Sequence, residues 1–198
     1  PGTALSEMYR NFFFLAQGRK VTAFKVRPKG AAFEMYDERT IPGGSSNTGL
    51  TIGPDGALYV TDWMNGPSER GRVWKIDDPK ASDSPVRKRV REILAAGMKK
   101  RTIEQLSEFL REDDFRIRKA AQFELVRRGD KGEAALLADC GQKEHRLARL
   151  HAIWGLGQVA RGWPDKVKGD PDAVTPLVEL LADKDVEVRA QAAKALGE

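Results

Sequence analysis

The 198-residue sequence has one cysteine, Cys140, and two histidines. A single cysteine cannot close an internal disulfide, and it excludes a cysteine-rich metal site and the Cys-x-x-Cys-His attachment of a c-type haem. Two histidines are also too few for an ordinary histidine-based metal centre. We therefore expect these residues to hold neither a metal ion nor a haem of their own.

Long hydrophobic runs are missing as well. No stretch approaches the roughly 18 apolar residues that a membrane-spanning helix needs, so no membrane span is expected. The apolar residues 12–16 are too few for the hydrophobic region of a signal peptide. The sequence begins with Pro1 and Gly2, without a methionine. We interpret it as a processed piece of a longer protein, from which any targeting signal could have been lost.

An excess of positive charge is confined to one segment. The net charge is +5, and residues 84–101 carry seven basic residues against one acid, Glu92. Such a segment could contact the phosphates of a nucleic acid. It has no interleaved aromatic residues, however, and its basic residues spread around the predicted helix. We therefore favour a solvated first helix that caps the following helices over nucleic-acid binding.

The first 80 residues have the composition and pattern of β-structure. They hold 10 of the 15 aromatic residues and 6 of the 10 prolines. Their apolar residues alternate or form short blocks between turn signals, which is typical of strands. In the turn at residues 53–56, Pro54 presets φ and Gly56 takes the left-handed conformation that closes a hairpin. The pattern predicts an antiparallel meander of about six strands, at residues 11–17, 21–27, 32–41, 48–52, 57–63 and 72–77.

Residues 84–198 change to the 3.6-residue period of helices. An internal repeat runs through them, and Arg118, Arg149 and Arg189 occupy its equivalent position at offsets of 31 and 40 residues. Each copy predicts a pair of helices that buries its apolar face only by stacking on the next pair, as in HEAT-style α-solenoids. The predicted helices lie near residues 84–97, 102–111, 115–128, 131–140, 144–160, 173–182 and 186–197.

The predicted fold class is therefore α+β with segregated domains. Residues 1–80 form the antiparallel β-meander, and residues 84–198 form the α-solenoid, with about three helix pairs and a leading helix. The polar segment 77–85 links the two. A free-standing sheet is not expected, because six strands with this many aromatic residues need a second layer to cover them.

Four stretches of the sequence together resemble one protein family. They are VRPKGAAFEM (26–35), GPDGALYVTDWMNG (53–66), GRVWKI (71–76) and ARLHAIWGLGQ (148–158). The combination is similar to the planctomycete and verrucomicrobial (PVC-type) haem-binding, membrane-bound dehydrogenases. In that family a β-propeller similar to quinoprotein sugar dehydrogenases precedes HEAT repeats and usually a c-type cytochrome domain. The resemblance implies that residues 1–80 are the C-terminal strands of a propeller whose earlier blades lie outside this sequence.

The same resemblance implies an activity, cofactors, partners and a compartment for the whole protein. The activity is oxidation of a sugar or polyol with pyrroloquinoline quinone (PQQ), and the electrons pass to haem c. Both cofactors are expected largely outside this piece, which would connect the propeller to the HEAT scaffold without activity alone. Its partners would be the other propeller blades and the cytochrome c domain of the same parent protein. Its location would be periplasmic or otherwise exported.

Four residues are predicted to cluster at one edge of the meander. In an antiparallel pair, the start of TGLTI and the end of ALYVTD lie at the same edge, which brings together Asn47, Thr48, Asp62 and Trp63. In a complete propeller this edge could face the central cleft, where Asp62 would bind a polyol or a cation and Trp63 would stack on a ring. The alternative, which we favour, is that Asp62 caps a turn and Trp63 packs between blades.

The repeated arginines also allow two interpretations. A row of Arg118, Arg149 and Arg189 on one face could bind acidic groups or phosphates. We favour a structural role, in which such an arginine pairs with an acid of the adjacent repeat and fixes the stacking. His151 is expected to be a packed histidine that is hydrogen-bonded to a neighbouring helix. If the chain is not part of a dehydrogenase, we expect an interaction module whose solenoid face binds another protein without catalysis.

Overall fold

Four strands form one antiparallel sheet, in chain order, in the computed structural model, which describes residues 5–30, 32–63, 70–163 and 170–198. Helices follow the sheet, which confirms the predicted α+β layout. The predicted count of about six strands is wrong, because two pairs of predicted strands are continuous. The strands are β1 (Phe13–Lys29), β2 (Ala32–Ile52), β3 (Leu58–Asp62) and β4 (Arg72–Ile76).

Bulges, rather than turns, interrupt the two long strands. Gly18 has a left-handed φ of 56° and pairs with Asn47, whereas the next paired residue of β1, Lys20, lies opposite Pro42. One residue separates these two paired positions on β1, whereas four residues, 43–46, separate their partners on β2. These extra residues form a bulge in β2. The glycines and serines that signalled a loop in the sequence are accommodated inside a continuous strand.

The turn at residues 53–56 forms as predicted. Gly56 has φ of 81°, and its N–H donates to the carbonyl oxygen of Gly53 at 2.9 Å. β3 then alternates, and its first, third and fifth residues are buried. The alternation puts Asp62 on the face of β3 that also carries its buried apolar residues. The core of the sheet comprises Leu5, Phe12, Val21, Ala23, Ile41, Leu58 and Val60.

The chain divides into two compact units, Pro1–Ala95 and Ala96–Glu198. The first contains the sheet, a short helix α1 (Pro79–Ser82), and all but the last residue of helix α2 (Pro85–Ala96). The sequence placed the division earlier, between residues 80 and 84. Helix α2, which is the predicted leading helix, belongs to the unit of the sheet because its Arg87 side chain hydrogen-bonds to residues of that unit.

The second unit consists of helices whose starts follow ordinary capping rules. Asp114 and Asp185 accept hydrogen bonds from the backbone two residues ahead, at 2.9 and 2.8 Å, and Thr102 forms a capping box with Gln105. No helix among the described residues is long and apolar enough to cross a membrane. The helices are α3 (Ile103–Phe109), α4 (Phe115–Arg127), α5 (Asp130–Gly141), α6 (Arg146–Ala160), α7 (Thr175–Glu179, between 3-10 turns at Pro171–Val174 and Leu180–Ala182) and α8 (Val186–Gly197).

In the pairs α3/α4, α5/α6 and α7/α8, the second helix packs against the second helix of the next pair. α4 contacts α6, and α6 contacts α8. The repeated alanines Ala121, Ala152 and Ala192 are fully buried on these helices, so their small side chains allow close approach. The three helices therefore form one layer of the second unit.

Candidate functional site

The sheet edge brings together the residues that the sequence placed there. Asn47 and Asp62 are directly paired in the register of β2 and β3. The hydroxyl of Thr48 lies 3.1 Å from that of Thr61 on the neighbouring strand. Trp63 is 77% exposed, and its backbone N–H donates to Ser46 at 2.8 Å.

The carboxylate of Asp62 binds the chain's own backbone. It is 3% exposed and accepts hydrogen bonds from the N–H groups of Ser45 at 3.2 Å and Ser46 at 2.8 Å. The indole N–H of Trp74 on β4 donates to it at 3.0 Å. Gly44 is needed here, because a Cβ atom at that position would overlap the Asp62 side chain. Asp62 thus holds the bulge of β2 against β3 and β4.

Asn47 holds the other side of the same bulge. Its side-chain oxygen accepts from the N–H of Gly44 at 2.8 Å, and its side-chain nitrogen donates to the carbonyl oxygen of Gly18 at 2.7 Å. It is 4% exposed. The polar groups of Asn47 and Asp62 are therefore engaged within the sheet, and the geometry favours a loop anchor over a ligand site.

Replacing Asp62 with asparagine tests this interpretation. An amide has one acceptor oxygen instead of two, so one buried N–H loses its partner and the free energy of unfolding should fall by about 1.5 kcal/mol. The change is measured by urea unfolding, which is monitored through hydrogen exchange of the sheet amides. The control is Glu38→Gln, the same acid-to-amide change at an exposed position of β2. If both variants are equally stable, Asp62 does not anchor the bulge.

Arg118 and Arg149 are buried and Arg189 is half-buried; Arg118 and Arg189 bind the turn that precedes their own helix. Arg118 Nη1 donates to the carbonyl oxygens of Glu112 and Asp113 at 2.6 and 2.8 Å. Arg189 does the same with Asp183 and Lys184, at 2.7 and 3.1 Å. These contacts fix the turn inside each helix pair.

Arg149 reaches an acid of the next repeat. Its guanidinium contacts the carboxylate of Asp183 at 2.6 Å, and its Nε donates to the carbonyl oxygen of Cys140 at 3.1 Å. The hydrogen bond from Arg149, with the backbone N–H of Asp185, lowers the pKa of Asp183. Burial raises the pKa of the Cys140 thiol to about 11, so the thiol stays protonated at neutral pH.

His151 lies in a network of buried polar side chains. Its Nδ1 is 2.7 Å from the amide oxygen of Gln122 on α4, and that amide donates to Gln158 at 3.0 Å. Its ring packs against Phe115 and Trp154, with centroids 5.8 and 4.8 Å apart. Burial, and then the positive charge of Arg118, lowers the pKa of His151 from 6.5 to about 3. The imidazole is therefore neutral and joins α4 to α6.

The shift of His151 predicts a pH dependence of stability. The unfolded chain binds a proton near pH 6.5 and the folded chain only near pH 3, so this contribution is complete above pH 6.5 and declines as the pH falls. Between about pH 7 and pH 5 the protein should lose about 2 kcal/mol more unfolding free energy than a His151→Gln variant. Urea unfolding of both proteins across this range is the measurement. Parallel curves would contradict a buried neutral imidazole.

At least three of the seven basic residues in segment 84–101 are engaged within the fold. Arg87 is buried, Lys88 lies 3.3 Å from Asp83, and the guanidinium of Arg101 lies over the ring of Phe109. The segment is also divided between the two units of the chain. Among the described residues, this arrangement gives no support to a nucleic-acid interface at the segment.

A groove crosses the layer of second helices, and the sequence did not predict it. Its volume is about 300 Å³, at the lower end of the range for small-ligand sites. Residues from α4, α6 and α8, with the two residues that follow α6 and α8, contribute to it. We call it the α4–α6–α8 groove; it is lined by Phe115, Trp154, Gln158, Arg161, Lys194, Ala195 and Glu198. Within the described residues, no group of histidine, cysteine or acidic side chains is placed to hold a metal ion.

Comparison with known protein families found a match within the helical unit. Residues 142–198 match the family model of HEAT repeats. The match covers α6 to α8 and supports the helical repeat that the sequence pattern predicted there. No curated protein matches the chain.

Proposed function

We propose that the chain is a HEAT-type scaffold that binds a protein partner on its helical unit. The observation that carries the proposal is the HEAT match over residues 142–198, which lies on helices that also line the α4–α6–α8 groove. Stacked helix pairs of this kind present extended concave surfaces that proteins use for binding.

The composition of the groove supports a binding role. Phe115 is 45% exposed, although large apolar side chains are usually buried. Trp154 and Arg161 line the same groove. Aromatic residues and arginine are enriched at protein interfaces and in their energetic centres.

A peptide-display experiment tests this function. The protein is immobilised and panned against a random peptide library, while a basic protein of unrelated fold is panned in parallel to remove peptides that bind positive charge alone. We expect peptides with a shared motif, and micromolar binding of the synthetic peptide in solution. If no peptide is enriched after successive rounds, the proposal of a peptide-binding scaffold is wrong.

A second candidate function concerns the sheet unit. Four antiparallel strands joined in chain order are the topology of a propeller blade, and the turn at residues 53–56 is a blade-type hairpin. This observation favours the family resemblance, in which the sheet closes the propeller of an exported quinoprotein sugar or polyol dehydrogenase. The unit would then join the remaining blades to the HEAT scaffold and to a cytochrome c domain.

Among the candidate residues at the sheet edge, Asn47, Thr48 and Asp62 do not fit a PQQ or sugar site. Asn47 and Asp62 are buried and bonded to the bulge of β2, and Thr48 bonds to Thr61. We therefore assign no catalytic step to this chain. In the parent protein, PQQ titration with a sugar and an artificial electron acceptor tests the second candidate, and absence of turnover with every sugar and polyol tried would contradict it.

A further inference from the structure

The α4–α6–α8 groove already holds one carboxylate. The side chain of Glu198 lies 3.6 Å from Arg161 Nη2 and 3.6 Å from Lys194 Nζ. These distances allow ion pairs but exceed those of direct hydrogen bonds. Arg161 and Lys194 therefore both face the Glu198 carboxylate without a direct hydrogen bond to it. A carboxylate that lies closer to the two cations would bind them better.

The wall beside these cations is aromatic, and its rings are held by contacts with their neighbours. The indole N–H of Trp154 donates to Gln191 on α8 at 2.8 Å, which fixes the ring between α6 and α8. Phe115 packs on His151, which also contacts Trp154 edge-on. Because these three rings support one another, an apolar side chain would meet a preformed surface in the groove.

Positive charge continues along α4 from the groove. Phe115, Lys119, Phe123 and Arg127 follow one another at intervals of four residues and so lie on one face of the helix. The ammonium of Lys119 lies 5.9 Å from each of the two phenylalanine rings, and the guanidinium of Arg127 lies 5.2 Å from the ring of Trp163. The face therefore alternates cations with aromatic rings.

We propose that the α4–α6–α8 groove binds an acidic segment of a partner protein. A carboxylate of the segment takes the place of Glu198 between Arg161 and Lys194, and an adjacent apolar side chain packs on Phe115 and Trp154. The cations along α4 attract further acids of the same segment and speed its association. This inference rests on the proposed scaffold function and adds the chemistry of the partner.

Protein is favoured over nucleic acid by the shape of the site. Two cations meet at one carboxylate inside a groove of about 300 Å³, which suits one or two side chains. Lys119 and Arg127 would attract a phosphate backbone as well as an acidic peptide, so the preference for protein rests on the two cations that meet at one carboxylate. An oligonucleotide is therefore the competitor in the test.

Fluorescence anisotropy with a fluorescein-labelled peptide of repeating Glu-Glu-Leu tests the proposal. Lys194→Glu should weaken binding about tenfold, because it replaces attraction by repulsion at the carboxylate. Lys131→Glu is the matched control, since Lys131 is exposed on α5 and does not line the groove. Glu198→Gln should strengthen binding about threefold, because the internal competitor loses its charge. Circular dichroism checks that the variants remain folded, which the 64% exposure of the Lys194 side chain favours.

Several results would overturn the proposal. They are no binding of the peptide, equal binding of a Gln-Gln-Leu peptide, equal effects of Lys194→Glu and Lys131→Glu, or tighter binding of a single-stranded oligonucleotide. If the display experiment yields a non-acidic motif, the scaffold function stands and the acidic partner is wrong. If it yields no motif, the scaffold function itself is wrong.

Discussion

Replacing Arg87 with alanine is expected to lower the unfolding free energy of the sheet-bearing unit by about 3 kcal/mol. The Arg87 side chain is 3% exposed and forms two hydrogen bonds with the carboxylate of Asp77, at 2.8 and 3.2 Å. It also donates twice to the carbonyl oxygen of Asp55, at 3.0 and 2.6 Å. One guanidinium thus joins α2, the end of β4 and the turn at residues 53–56. Its removal takes the guanidinium donors from the Asp77 carboxylate, which keeps the backbone N–H of Asp78, and from the carbonyl oxygen of Asp55. Leaving these partly buried acceptors under-satisfied costs more than the bonds themselves contribute.

Hydrogen exchange of the β3 and β4 amides during urea unfolding measures this change. Arg91→Ala is the matched control, because Arg91 lies one helical turn further along α2 and is exposed. It should change the stability by less than about 0.5 kcal/mol. Equal effects of the two substitutions would show that the bonds of Arg87 do not hold the unit together.

The role of Arg87 could have been inferred from the helix pattern. Arg87, Val90 and Ile93 follow one another at intervals of three residues and are all buried, so an arginine stands on the apolar face of α2. The basic residues of segment 84–101 were expected to be solvated, whereas Arg87 is buried on this face. Its partners were not predictable, because Asp55 contributes a backbone oxygen and Asp77 lies in a polar linker.

Helices were easier to predict than strands in this chain. The 3.6-residue period repeats over long segments, and the bounds of α4, α6 and α8 lie within two residues of the prediction. In the sheet, Gly18 and residues 43–46 carry ordinary turn signals. Whether such residues make a turn or a bulge depends on the partner strand, here on the pairing of Gly18 with Asn47.

Register predicted which residues meet at the sheet edge, but not what they do. The pairing of Asn47 with Asp62 follows from antiparallel geometry alone. The bonds of Asp62 to Ser45 and Ser46 depend on the path of the bulge, which no local pattern specifies. The α4–α6–α8 groove was missed for a similar reason, because Phe115, Trp154 and Lys194 meet only through the stacking of three helices.

Replacing Gly132 with alanine is expected to destabilise the helical unit by about 3 kcal/mol. Gly132 lies in the first turn of α5, where the chain has just reversed direction at Gly129, whose φ is 57°. A Cβ atom at Gly132 would overlap the carbonyl oxygen of Leu125 and lie 2.8 Å from its carbonyl carbon. That oxygen is backbone at the end of α4 and accepts from Arg128 at 2.9 Å, so it cannot move aside as a side chain could. The turn between α4 and α5 would have to open, and α5 would pack less closely on α4.

The same helix provides the control for this prediction. Gly141 ends α5, and a Cβ atom there would meet nothing within 4 Å. Gly141→Ala should therefore leave the stability unchanged or raise it by about 0.5 kcal/mol, since alanine loses less backbone entropy on folding. Far-ultraviolet circular dichroism during urea unfolding compares the two variants, and the expected difference between them is about 3 kcal/mol. Because the substitutions are chemically identical, a difference of opposite sign or none at all would mean that close contact with Leu125 does not hold α4 and α5 together.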